Sequence, residues 1–258
     1  MIAVFSDLDG TLLDHETYDW SPARPVLERL RAGGHALILA SSKTAAEIAP
    51  LRAQMGFAQC PAIVENGAGL LPAEADAVTE ARSHPQLLAI LRRVRAETRA
   101  PFRGFSDWSV AEIAARTGLS PEAAEAAARR DFSEPGLFGG PPAAEADFVT
   151  ALNRAGVSAT RGGRFMTLSF GADKGARLRE IARALQASAT VALGDAPNDM
   201  GLLETADHGI VIPNPAHAGL PTLPGEEGPA AHITRAAQPG PAGWATALGA
   251  LLDRLGAT

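Results

Sequence analysis

Near its start the chain has a short apolar run, Ile2-Ala3-Val4-Phe5-Ser6, that stops abruptly at Asp7-Leu8-Asp9-Gly10-Thr11. An apolar run of this length that ends on carboxylates reads as a strand buried inside a sheet, with a polar end at the sheet's edge. Residues two apart in an extended chain point to the same side, so Asp7 and Asp9 are expected to reach one spot. At about 4 Å, two carboxylates repel by about 4 kcal/mol for an effective dielectric of 20. A cation relieves that repulsion, and Mg2+ suits an all-oxygen environment that combines few carboxylates with water and phosphate. Gly10 lets the chain turn sharply and present backbone N–H groups to an anion.

Downstream, strands and helices alternate. Ser21-Pro22 reads as a helix cap followed by proline at the first helical position, and Gly33-Gly34 as the end of that helix. Residues 35–41 form a second apolar run, and Thr44 with Glu47 has capping-box spacing for a helix reaching about Gly56. A third strand, residues 61–65, leads into Glu65-Asn66-Gly67-Ala68-Gly69. This alternation predicts a parallel sheet covered on both faces. After about residue 80 the pattern changes to helices at 85–98, 109–117, 121–130 and 143–155, followed by a strand at 164–170. The α/β rhythm resumes with a helix after Lys174, a strand at 190–195, a helix after Pro197 and a strand at 209–213. The Pro- and Gly-rich stretch 213–241 reads as an irregular loop. The expected architecture is α/β, a parallel-sheet, Rossmann-like core (1–81 and 168–258) with an inserted α+β cap domain (82–167).

Gly194-Asp195-Ala196-Pro197-Asn198-Asp199 is a second acidic group, placed after a strand of the same sheet. Parallel strands gather their C-terminal ends at one edge, where open α/β sheets bind ligands, so Asp195 and Asp199 are expected beside Asp7 and Asp9. Ser41 ends the second strand, where a hydroxyl can hold a phosphate oxygen. Lys174 opens a helix, where an ammonium can neutralise both a phosphate and Asp7. Taken singly these two are weak signals: Ser42 adjoins Ser41 and either can cap the next element, and most lysines are solvated surface residues.

Charge adds a direction. The net charge is −6, yet residues 82–166 hold 12 Arg against 9 Asp and Glu, so the core is the acidic part. A basic insert over an acidic core suggests a small anionic substrate held between them, with cation sites in the core. It argues against a nucleic-acid partner, which calls for a basic footprint. Only Lys43 and Lys174 are lysines. Arginine-favouring codon usage explains this as well as a need for a compact ammonium does. No apolar run approaches the roughly 20 residues of a membrane span. Asp7 and Asp9 interrupt the first apolar stretch, so it does not read as a signal peptide. A lone cysteine, Cys60, suits a reducing compartment, and a cytoplasmic location is the expectation.

The motifs Asp7-Leu8-Asp9-Gly10-Thr11, the strand-ending Ser41, Lys174 in Asp173-Lys174-Gly175, and the group from Gly194 to Asp199 resemble the four ordered motifs of the haloacid dehalogenase superfamily. The resemblance spans the whole chain, with an insert after the third strand. It implies that Asp7 is a nucleophile forming an aspartyl-phosphate, and that Asp9 protonates the leaving oxygen and then activates water. It further implies that Asp7, the Asp9 backbone carbonyl and Asp195 hold Mg2+, with Asp199 ligating directly or through water.

A finer resemblance rests on Ser41-Ser42-Lys43-Thr44-Ala45-Ala46-Glu47, residues 65–69, Gly162-Gly163-Arg164-Phe165, Gly171-Ala172-Asp173-Lys174-Gly175 and Ala128-Arg129-Arg130-Asp131-Phe132. These stretches are similar to the mannosyl-3-phosphoglycerate phosphatases, although Lys43 stands where most relatives have arginine. The implied reaction releases phosphate from mannosyl-3-phosphoglycerate to leave mannosylglycerate, a compatible solute. Lys43, Asn66, Gly67, Arg130 and Arg164 are then the substrate-binding candidates. Glucosyl-3-phosphoglycerate and other sugar phosphates present nearly the same anionic end. A phosphomutase, a receiver-type signalling module and an inactive binding protein are the remaining readings. The oligomeric state is left open.

Overall fold

The structure, a computed structural model, describes residues 1–162, 165–216 and 218–257. β1 (Ile2–Ser6) is buried at every position between two parallel neighbours. α1 (Arg24–Ala32) leads to β2 (Ala36–Leu39), and α2 (Ala45–Gln54) to β3 (Ala62–Val64), which turns back as β4 (Gly69–Leu71). Then come α3 (His84–Thr98), β5 (Phe102–Gly104), α4 (Val110–Thr117), α5 (Pro121–Ala128), β6 (Glu134–Phe138), α6 (Pro142–Arg154), β7 (Ser158–Gly162) and β8 (Phe165–Ser169). The chain finishes with α7 (Lys174–Ala184), β9 (Ala189–Gly194), α8 (Met200–Thr205), β10 (His208–Val211), β11 (Ile233–Arg235) and α9 (Gly240–Arg254).

The fold is α/β. A parallel five-stranded sheet in the order β11-β10-β9-β1-β2 forms the core, and an antiparallel four-stranded sheet in the order β5-β6-β8-β7 forms the cap. Ser6 lies opposite both Leu39 and Leu193, so the chain leaves β1, β2 and β9 at one level of the sheet. That register brings Asp7, Ser41 and Asp195 to a common edge. Among the described residues no helix is long and apolar enough to cross a membrane.

Several local expectations shift. The third strand touches β2 through one parallel bridge, Ala40 to Ile63, and otherwise pairs antiparallel with β4. Three consecutive left-handed residues, Glu65, Asn66 and Gly67, reverse the chain there. A 3-10 turn over Ser21–Ala23, with Pro22 in its first positions, leads directly into α1 at Arg24; Ser21 is not its cap, and its hydroxyl donates to Asp19. The Thr44–Glu47 capping box is present, with both reciprocal hydrogen bonds formed. In the insert, β5, β6 and β7 lie outside the expected elements: short strands that include Gly104 or Pro135-Gly136 carry no alternating pattern, and Ser158-Ala159-Thr160-Arg161-Gly162 in β7 has no apolar run. Gly136 is needed there, since a Cβ would lie 2.3 Å from the Phe102 ring. β11 lies inside the stretch read as irregular loop.

The main hydrophobic cluster surrounds the parallel sheet, while Leu87, Leu91, Phe102, Phe148 and Leu152 form a second one within the cap. Phe132 departs from this division. It lies between two cap elements, α5 and β6, yet packs into the main cluster. Its ring fits only because residue 69 is glycine, where a Cβ would lie 2.1 Å away. Gly69→Ala is therefore expected to destabilise the protein by about 1–3 kcal/mol through overpacking. At about 2–4 °C per kcal/mol for a chain of this size, calorimetry should register a clear drop in Tm. An unchanged Tm would mean that Phe132 has room to move.

Candidate active site

The C-terminal ends of β1 and β9 and the first turn of α7 converge on a buried acidic cluster. Asp7 follows β1 and donates its N–H to the Leu193 carbonyl at 2.9 Å. Asp195 follows β9, and Asp199 ends the short 3-10 turn beyond it. One carboxylate oxygen from each of Asp7, Asp195 and Asp199 lies within 4.8 Å of the others. Lys174, the first residue of α7 and only 2% exposed, donates to Asp7 Oδ1 at 2.8 Å and to Asp199 Oδ1 at 2.6 Å.

The second oxygen of Asp199 accepts the N–H groups of Asp195 (3.2 Å) and Ala196 (3.1 Å), so this carboxylate also fixes the turn. Asp195 accepts from the Thr11 hydroxyl and from Asn214 Nδ2, both at 2.8 Å. Gly10, at φ +86°, passes so close to Asn214 that a Cβ would lie 2.1 Å from its amide nitrogen.

Three buried carboxylates face one ammonium. Burial pushes the Asp7 carboxyl well above its ordinary 3.8, the nearby Asp199 and Asp195 push it further, and Lys174 offsets only part. Burial raises Asp199 too, with Lys174 opposing and Asp195 adding. For Lys174, burial alone would favour the neutral amine, but Asp199 and Asp7 outweigh it and hold the ammonium above its ordinary range. The cluster thus carries surplus negative charge on oxygen donors alone. That is the donor set of a hard divalent cation, and the residues present fit Mg2+.

The Asp9 carboxylate turns elsewhere. β1 ends at Ser6 and the chain bends at Gly10, so the alternation of an extended strand no longer applies. Asp9 instead pairs with Lys43 at 3.0 Å, and among the described residues its buried Oδ1 has no hydrogen-bond partner. Lys43 also lies 4.0 Å from Glu47 and over the Tyr18 ring. Burial works against its charge, but Asp9 and Glu47 raise its pKa overall.

Asp7, Asp9, Ser41, Lys43, Asn66 and Asp195 line the core side of a cleft of about 490 Å3. Phe105, Leu119, Arg130 and Phe165 line its cap side. Asn66 accepts a hydrogen bond from Asn198 at 3.1 Å. Gly67 does not reach this cleft. It packs on the backbone of Asp173 and Lys174, where a Cβ would lie 2.7 Å from the Asp173 carbonyl carbon. Arg130 donates to the Ser42 carbonyl and the Ser133 hydroxyl. Arg164 lies outside the described residues. Among the described residues of the insert, Arg130 lines the cleft, whereas Arg95, Arg103, Arg129 and Arg161 pair with Asp107, Glu112, Glu125 and Glu145 on the cap itself.

Three contributors escaped sequence reasoning. Thr11 ends the first motif, where a threonine after Asp-Gly reads as part of the turn rather than as a donor to Asp195. Asn214 carried a usable signal as a polar residue just beyond a parallel strand. Glu65 had none, since a glutamate before Asn-Gly reads as part of a turn.

A family model described as haloacid dehalogenase-like hydrolase matches residues 4–91 and 144–218, well over half of the chain. Solved structures share the fold across nearly its full length. A Thermoplasma acidophilum protein is 13% identical with a TM-score of 0.68, covering 99% of this chain and 98% of that one. The sucrose-phosphatase of Synechocystis, solved with sucrose and phosphate, is 17% identical with a TM-score of 0.63, covering 96% and 97%. A Bacteroides thetaiotaomicron protein, described among phosphatases of the haloalkanoate superfamily, is 19% identical with a TM-score of 0.66, covering 99% and 95%.

Proposed function

The chain belongs to the haloacid dehalogenase-like hydrolases, and from that premise we propose that it is a Mg2+-dependent phosphatase working through an aspartyl-phosphate on Asp7. The observation that carries this reading is the position of Asp7: buried, lining the cleft, with one oxygen held by Lys174. In this mechanism a carboxylate oxygen of Asp7 attacks phosphorus. The ester bond breaks, and the leaving oxygen takes a proton from Asp9. Water then attacks the phosphorus of the aspartyl-phosphate while the Asp9 carboxylate accepts its proton. Inorganic phosphate leaves and the Asp7 carboxylate is restored.

The Lys174 ammonium and Ser41 hydroxyl donate to phosphoryl oxygens as charge shifts onto them. Asp7, Asp195 and the Asp9 carbonyl would hold Mg2+, with Asp199 bound directly or through water; the bound cation supplies neutralisation of the phosphoryl charge.

For the substrate, the reading is a sugar joined to phosphoglycerate, with mannosyl-3-phosphoglycerate first and the glucosyl ester next. Lys43 and Arg130 on the cleft suit a second anionic group, and the rings of Phe105 and Phe165 suit the apolar face of a sugar. The sucrose-phosphatase among the structural relatives supports a sugar phosphate as the broader class. The test is a phosphate-release panel of mannosyl- and glucosyl-3-phosphoglycerate, trehalose and sucrose phosphates and simple hexose phosphates, compared by kcat/KM. The phosphoglycerates are expected to lead, and no preference for them would remove this substrate. Phosphate should accumulate in step with dephosphorylated product, whereas a phosphomutase would release none. EDTA is expected to stop turnover and Mg2+ to restore it; indifference to chelation would remove the metal from the mechanism.

A further inference from the structure

Glu65 is a buried carboxylate outside the acidic cluster, 1% exposed, at a left-handed backbone position with φ 51°. Its side chain reaches across to the cap segment between α5 and β6. It accepts the N–H groups of Asp131 (2.8 Å), Phe132 (3.2 Å) and Ser133 (2.8 Å), and the Ser133 hydroxyl at 2.6 Å. Arg130 Nε lies 3.4 Å away. On the other side, the backbone of the same turn holds the catalytic loop: Glu65 N–H donates to the Lys43 carbonyl at 2.9 Å and Asn66 N–H to the Ser41 carbonyl at 2.8 Å. Thr44 Oγ1 donates to the Ala126 carbonyl, and Arg130 to the Ser42 carbonyl, reinforcing the same seam.

One residue therefore grips both walls of the cleft, by backbone on the core side and by carboxylate on the cap side. A single ionised side chain serving four hydrogen-bond donors in a buried seam is strongly localised. We infer that Glu65 is a positioning residue: it fixes the cap segment carrying Arg130 against the loop carrying Ser41 and Lys43, and so favours phosphate esters with large leaving groups over small ones. The substrate part rests on the phosphatase reading. A large leaving group gains binding from both walls only when their spacing is fixed, whereas a small ester touches the core wall alone.

Glu65→Gln keeps the shape but puts an amide NH2 against backbone N–H donors and removes the charge beside Arg130. Ser133→Ala removes one of the four donors to Glu65 and, with it, the hydroxyl that accepts from Arg130. Leu152→Val, inside the cap and away from this seam, controls for general loosening of the cap. The full chain with Mg2+ would be assayed on mannosyl-3-phosphoglycerate, or the sugar phosphate that the panel prefers, and on acetyl phosphate. In Glu65→Gln the KM for the sugar ester should rise about tenfold or more with little change in kcat, while kcat/KM for acetyl phosphate stays within about twofold. Ser133→Ala should shift the same ratio about threefold, and Leu152→Val should leave it unchanged.

Amide hydrogen exchange of residues 131–133 should accelerate about tenfold or more in Glu65→Gln. Equal losses on the sugar ester and on acetyl phosphate, or an unchanged exchange rate, would overturn the positioning role. If the wild type hydrolyses neither substrate, the phosphatase reading fails and with it the discrimination; the exchange measurement then decides the tie by itself.

Discussion

Asp7→Asn is expected to lower kcat by about 10⁴-fold or more, the scale of losing a covalent nucleophile, while the metal-free protein becomes more stable. The two effects share one cause. Asp7 stays buried beside two other carboxylates, and its pKa lies well above 3.8 because burial and its acidic neighbours outweigh Lys174. Between 3.8 and that raised value the folded state keeps a proton that the unfolded chain has released. This contribution to stability is fully present below 3.8 and is lost as pH rises through the raised value.

An asparagine carries no charge to bury, so the variant lacks that loss, and Lys174 keeps Asp199 as its partner. In EDTA near neutral pH, calorimetry should give Asp7→Asn a higher Tm than wild type, and Mg2+ should stabilise wild type more than the variant. Near-normal phosphate release by Asp7→Asn would remove it as nucleophile. A lower metal-free Tm would mean that the carboxylate stabilises the cluster.

Lys174→Met should have the opposite effect on stability. It removes the ammonium that lies 2.8 Å from Asp7 and 2.6 Å from Asp199, leaving buried carboxylates uncompensated. Breaking a buried pair by deleting one partner costs about 3–5 kcal/mol, and loss of a donor aimed at developing charge lowers kcat by about 10²–10³-fold. Adding Asp199→Asn to Lys174→Met should recover part of the stability and none of the activity. A fully additive double mutant in denaturant titrations would show that Lys174 and Asp199 are not coupled.

Much of this arrangement was readable in advance because it follows from strand ends. Asp7, Ser41 and Asp195 each follow an apolar run, and parallel runs finish at one edge. Lys174 was legible as a helix opener, although its burial was not. The reading was weaker where a side chain acts across a long interval. Glu65 meets residues 131–133, a contact that leaves no period in either segment. The cap strands are illegible for another reason: Gly136 is required by the Phe102 ring and Gly104 by the Glu134 side chain, and such close approaches look like turns in a one-dimensional pattern. The insert carries a basic surplus, but Arg95, Arg103, Arg129 and Arg161 pair with neighbours on the cap, so net charge says little about where cations face.

The register of β1 also sets an order of events during synthesis. β1 is flanked by β2 on one side and by β9 on the other, with Ala3 opposite Thr190. Until residues 189–194 have left the ribosome, one edge of this fully buried strand has no partner, and the whole cap emerges during that wait. A nascent chain stopped near residue 170 would expose this edge to pairing with other chains, the hazard of any open strand. The cap, whose sheet and second cluster draw on residues 87–169 alone, is free to condense first. Growth of the polypeptide therefore favours a structured middle and a late-closing frame, with the acidic cluster assembled only in the final stage.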